Sequence, residues 1–136
     1  MEKQKDKKIK IIIVLLIAGI ILFNLYSFLT KPIEVREVEV RFVIGDSFGI
    51  NKSDSLDFGI LPRGSNAVKM VEFANNKGYG LRIVPLVEAG LRDFIYIEEG
   101  YLDFNGEIEI PVNLFIPENA DYGNYSGKIR FEIYKI

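Results

Sequence analysis

Ile108-Glu109-Ile110-Pro111-Val112-Asn113-Leu114-Phe115-Ile116 sets an aliphatic side chain at every second position until Pro117. Successive side chains of an extended chain point to opposite faces, so this run buries one face and belongs at the centre of a sheet. Immediately before it, Tyr101-Leu102-Asp103-Phe104 meets Asn105-Gly106, which reads as a hairpin with a type I′ turn, since both central residues of that turn need positive φ. After Pro117-Glu118-Asn119-Ala120-Asp121-Tyr122-Gly123-Asn124, the chain closes with Tyr125 to Ile136, in which Ile129, Phe131 and Ile133 alternate.

The same grammar continues upstream. Leu56 to Leu61 is a short strand closed by Pro62-Arg63-Gly64-Ser65, and Ala67 to Ala74 is another, ending at Asn75-Asn76-Lys77-Gly78. Leu81 to Val87 follows, with Pro85 removing a donor and favouring an edge or a bulge. Phe94-Ile95-Tyr96-Ile97 comes after Gly90. At the start, Ile33 and Val35 alternate in one phase and Val38, Val40, Phe42 and Ile44 in the other, which reads as a bulge or sheet crossing near Arg36-Glu37. Gly45 to Ser55, GDSFGINKSDS, is turn chemistry and reads as a loop. Seven or eight short strands, with no helical period after residue 30, predict an all-β, antiparallel sandwich.

Ahead of this region, Ile11 to Leu29 is an uncharged apolar run behind the lysine-rich MEKQKDKKIK. A helix through it is roughly 28 Å long, close to the ~30 Å hydrocarbon core of a bilayer. A secretory leader has an apolar region of about 7–15 residues and a small-residue cleavage site. Here the run is longer and its exit, Asn24 to Pro32, is bulky, so the segment is expected to remain as an anchor. Five lysines precede the span against Glu2 and Asp6, while Lys31 and Arg36 lie just beyond it. The positive-inside rule keeps that tail cytoplasmic and places the sandwich outside. The expected division is a basic tail at 1–10, a transmembrane helix at 11–30, a short linker at 31–34 and an extracytoplasmic domain at 35–136.

Beyond the span, 12 basic residues stand against 17 acidic ones, a mildly acidic exterior with no basic stripe, which argues against nucleic acid as a partner. The chain has neither cysteine nor histidine. Disulfides and Ser–His or Cys–His catalysis are therefore excluded, and the commonest metal ligand is missing. Asp103-x-Asn105-x-Glu107 has oxygen ligands in a turn, but its glycine is misplaced for a calcium loop and it reads as a hairpin. Asp54, Asp57, Glu98 and Glu99 read as a solvated face, with no nucleophile to join. No cofactor and no enzymatic activity is expected.

LDFGILPRGSNAVKMVEFAN (56–75) and IPENADYGNYSGKIRFEI (116–133) carry a resemblance to prokaryotic cell-surface immunoglobulin-like sandwich modules of the PapD-like type. Phe58, Gly59, Gly64, Asn75, Pro117, Gly123, Tyr125 and Gly127 are the matching positions. The resemblance implies an Ig-like fold and a binding or spacing role behind a signal anchor, without an activity. Tyr125 is placed for a corner hydrogen bond of the kind such sandwiches use. The layout of one span and an exterior sandwich also resembles archaellum stator subunits that contact a surface layer.

The candidate sites are few. Asn51 and Asn124 head N-x-[ST] sequons on the side where glycosylation occurs. Tyr96, Tyr101 and Tyr122 form a binding surface if they share an exposed face. The reading is a single-pass, membrane-anchored, non-enzymatic module that contacts another envelope or surface-layer protein and is compatible with homo-oligomerisation. The alternative is a saccharide-binding module.

Overall fold

A computed structural model describes residues 2–49 and 56–136, in two compact units, Met1–Lys31 and Pro32–Ile136. The first unit is one helix, α1 (Glu2–Leu29). Its backbone runs on through the lysine-rich tail, where Lys, Gln and Glu are good helix formers, so the helix begins well before the expected Ile11. It ends where Thr30 turns its hydroxyl back to the Tyr26 carbonyl at 3.0 Å and Pro32 follows. Lys3–Leu29 is long and apolar enough to cross a membrane by length and composition, with mean hydropathy reaching 2.7 and no protein cover over that stretch.

The second unit is a two-layer β-sandwich. Its strands are β1 (Glu34–Ile44), β2 (Leu56–Leu61), β3 (Asn66–Ala74), β4 (Leu81–Val87), β5 (Ile95–Tyr96), β6 (Leu102–Phe104), β7 (Glu107–Phe115) and β8 (Gly123–Lys135). A five-stranded sheet has the order β2-β1-β8-β4-β6, and a three-stranded sheet the order β3-β7-β5. All pairings between these strands are antiparallel except β1 with β2, which run parallel.

The alternation read in the sequence sets the inward faces. Val40, Phe42 and Ile44 from β1, Ile129, Phe131 and Ile133 from β8, and Ile110, Val112 and Leu114 from β7 are buried. β7 is the middle strand of its sheet, as its unbroken pattern requires. Phe73 and Phe131 meet edge-on across the two layers at 5.0 Å, and Phe42, Phe94 and Tyr125 form a second aromatic contact group, with the Phe42 and Tyr125 rings stacked at 5.1 Å. Tyr125 donates its hydroxyl to the Asp121 carbonyl at 2.7 Å, the expected corner bond. Buried Asn75 fastens the next loop, donating to the Tyr79 carbonyl and accepting from the Lys77 amide. Pro85 lies past the reach of β6, which pairs only with Leu81–Ile83, so its missing N–H falls on an uncovered edge.

Three expectations are corrected. Asn105-Gly106 is not a hairpin turn: β6 lies in the five-stranded sheet and β7 in the three-stranded one, so the pair is the corner where the chain changes layers. Only Gly106 has positive φ (93°), and its carbonyl accepts from the Asn75 amide at 2.6 Å. The phase change near Arg36 is not a bulge either, because β1 pairs with β8 in unbroken register from Glu34–Ile133 to Ile44–Gly123. Ile33 and Val35 simply face outward, and the inward position is taken by Arg36, whose guanidinium lies 5.0 Å above the Phe73 ring. The register irregularity of β1 lies against β2, between Arg41 and Val43. Finally, Phe94–Ile97 contributes only the two-residue β5, with Phe94 and Ile97 packed on the core beside it.

Candidate functional site

Each sheet has one face in the core and one turned to solvent, and the two solvent faces differ in chemistry. On the five-stranded sheet most outward positions of β1 and β8 carry charge, while Val35 and Leu86 are exposed apolar residues on the same face. Lys128 pairs with Glu37 at 3.3 Å, Arg130 with Glu132 at 3.2 Å and Arg41 with Glu39 at 2.9 Å. Arg82 grips Asp103 with two bonds of 2.6 and 2.8 Å across β4 and β6. That fork holds the Asp103 carboxyl below, and the Arg82 guanidinium above, their ordinary ranges. All four ion pairs among the described residues lie on this face. The Tyr134 hydroxyl is raised by its hydrogen bond to Glu132.

The outward ladder of the three-stranded sheet reads, row by row, Asn66–Phe115, Val68–Asn113, Met70–Pro111, Glu72–Glu109 and Ala74–Glu107, with Tyr96 beside Asn113. Its upper rows are apolar and open: Tyr96 is 61%, Val68 and Met70 are each 54% and Phe115 is 53% exposed. Asn113 donates to the Tyr96 carbonyl at 3.2 Å, fixing β5 against the strip. Its lower rows are acidic, and Glu72 stands directly opposite Glu109. Beside them a cavity of about 360 Å³ opens between Arg36, Glu72, Phe73, Ile108 and Glu109. Arg36 reaches into it from β1 and donates to the Glu72 carbonyl at 3.0 Å.

The three tyrosines singled out from the sequence are all exposed, but the structure does not bring them together. Tyr96 is on the outer face of the three-stranded sheet. Tyr101 lies against Arg82 (4.3 Å) on the other sheet. Tyr122 is in the loop before β8, under Arg63 (4.0 Å) and bonded to Asp46, which raises its hydroxyl. Their common face fails because the connections carrying them end on different layers. A flat aromatic platform for a sugar is therefore not assembled from them. Asn124 is exposed but lies inside β8, opposite Val43, rather than in the expected loop. Asn51 and Asp54 lie outside the described residues. Asp103, the first oxygen of the turn weighed for calcium, is held by Arg82, and the Asp57 carboxylate accepts from the Gly59 amide. Glu98 and Glu99 are exposed.

Val68, Met70 and Phe115 were not singled out from the sequence. The signal was present in Ala67 to Phe73, where both phases of the alternation carry apolar residues although only one can face the core.

No protein-family model matches the chain. No curated protein matches it. Among solved structures, one described as DraE adhesin in complex with chloramphenicol succinate is similar over 78% of this chain and 97% of that one, at 10% identity and a TM-score of 0.41.

Proposed function

We propose that this protein is a membrane-anchored, non-enzymatic interaction module of the prokaryotic Ig-like surface type, which holds a partner through the outer face of its three-stranded sheet. The observation that carries the reading is the open apolar strip of Val68, Met70, Phe115 and Tyr96, each more than half exposed, in a domain whose other sheet carries all four ion pairs among the described residues. Contiguous apolar surface on a soluble domain marks an interaction site, whereas scattered apolar residues do not. The helix supplies the anchor, the lysines before it keep the tail cytoplasmic, and only residues 30–33 separate helix from sandwich. The partner is therefore an envelope or surface-layer protein within reach of a short tether.

A photoreactive phenylalanine analogue replacing Tyr96 in the full chain, in native membranes, tests this. Protein adducts are expected from Tyr96 and not from the same analogue at Leu86, on the ion-paired face. Adding Met70→Lys should reduce the Tyr96 adducts by about tenfold, the effect of losing roughly 1.4 kcal/mol at an interface. Equal yields at the two positions, or none at Tyr96, would overturn the assignment.

A further inference from the structure

The geometry points to the chemistry of the partner: a protein surface whose apolar ridge continues into Lys or Arg side chains, the ridge seated on the Val68–Met70–Phe115 strip and the cations on Glu72, Glu107 and Glu109. This rests on the docking face proposed above and adds what covers it.

The docking ladder is divided in two. Its apolar rows end at Met70–Pro111, and the next two rows bring Glu72 opposite Glu109 and Ala74 opposite Glu107. Like charges directly across a ladder destabilise a sheet, so this arrangement has a standing cost in the free molecule. None of the three carboxylates is in an ion pair with another described residue. The nearby guanidinium, Arg36, spends its hydrogen bond on the Glu72 carbonyl and its face on Phe73. Three carboxylates around one guanidinium leave the mouth of the 360 Å³ cavity with a net charge of −2, and apolar walls from Phe73 and Ile108. Such a cleft accepts the aliphatic stem of a lysine or arginine along its walls and the cationic head at its rim.

A single metal ion suits it poorly. Among the described residues no three acidic side chains converge to hold one. The carboxylates are instead strung along strands, at the spacing of alternate residues on an opposing chain. A second copy of this chain fits no better. The outward positions of β3, β5 and β7 hold no Lys or Arg, so two such faces would set carboxylates against carboxylates or against the apolar strip.

The test uses the Tyr96 photoadduct in native membranes, with Glu72→Gln, Glu107→Gln and Glu109→Gln combined. These exposed changes keep shape and remove the opposed charges, so the thermal transition should be unchanged or slightly raised. Adduct yield should fall at least about threefold in the variant, as expected for losing several exposed charge pairs. It should also fall in the unsubstituted protein at about 1 M salt, where the Debye length is ~3 Å. Mass spectrometry of the adduct should place the cross-link on an apolar segment flanked by Lys or Arg. An adduct insensitive to both salt and the three substitutions would overturn the charge assignment while leaving the docking face intact. An adduct of two copies of this chain, or to lipid, would overturn it as well. Loss of all adducts from Tyr96 would instead remove the face itself.

Discussion

Along β1 and β8 the outward positions read Glu37, Glu39 and Arg41 against Lys128, Arg130 and Glu132; along β3 and β7 they read Val68 and Met70 against Pro111, Asn113 and Phe115. Both ladders follow the same two-residue period, and both turn their inward residues into one shared core. Exposed ion pairs contribute about 0–1 kcal/mol each, so the charged face secures solubility more than stability. Val68 and Met70 are each 54% exposed and lie outside the buried core. The ion pairs are confined to one sheet, and the contrast between the two outer faces is what the proposed docking role would explain.

The core common to both sheets should dominate stability. Phe131→Ala, which empties a fully buried site facing Phe73, is expected to destabilise by about 3–5 kcal/mol in denaturant unfolding. A loss no larger than that of an outer-face substitution would break the claim that the two layers share one core. Next comes the closure of the sandwich beside β8. A Cβ at Gly127 would sit 2.7 Å from Leu91 and 2.8 Å from the Glu88 carboxylate, which accepts from the Lys128 amide. Gly127→Ala should therefore lower stability by about 1–3 kcal/mol and shift the short helix Ala89–Leu91, visible in amide exchange of β8. The smallest effect belongs to the charged face. Because Arg82 holds the Asp103 carboxyl below its unfolded value, this pair adds stability above the ordinary carboxylate range and loses it as pH falls through the folded value. Asp103→Asn should thus lower the unfolding midpoint slightly at neutral pH, and the gap to the unsubstituted protein should close as the pH falls below the ordinary carboxylate range. A gap that persists in acid would show that the charge of Asp103 does not set its contribution.

The sequence made the strands and their inward residues legible because the two-residue period is local. The layer that each strand joins is not local. Asn105-Gly106 carries the same turn chemistry whether it folds β6 back on β7 or passes the chain between sheets, and the partners that decide it, Leu81–Ile83 for β6 and Val71–Phe73 for β7, lie far off in the sequence. The apolar strip was half legible for a related reason. Tyr96 stands out by its chemistry, but Val68 and Met70 are outward only because Val71 and Phe73 take the core, and Lys69 falls in that inward phase too. Outward apolar residues become visible once the register is known.

The first strand after the apolar helix has a mechanical consequence. All of its eleven residues, Glu34 to Ile44, are in register with β8, while β2 flanks its far half. If the helix anchors the chain as proposed, tension entering the sandwich at Glu34 meets that ladder first. The strand's pairing with β8 starts at the helix-proximal end, Glu34–Ile133, whereas β2 covers it only from Val40 to Ile44. On the proposed reading, the link between a partner and the helix therefore begins in the longest ladder among the described strands.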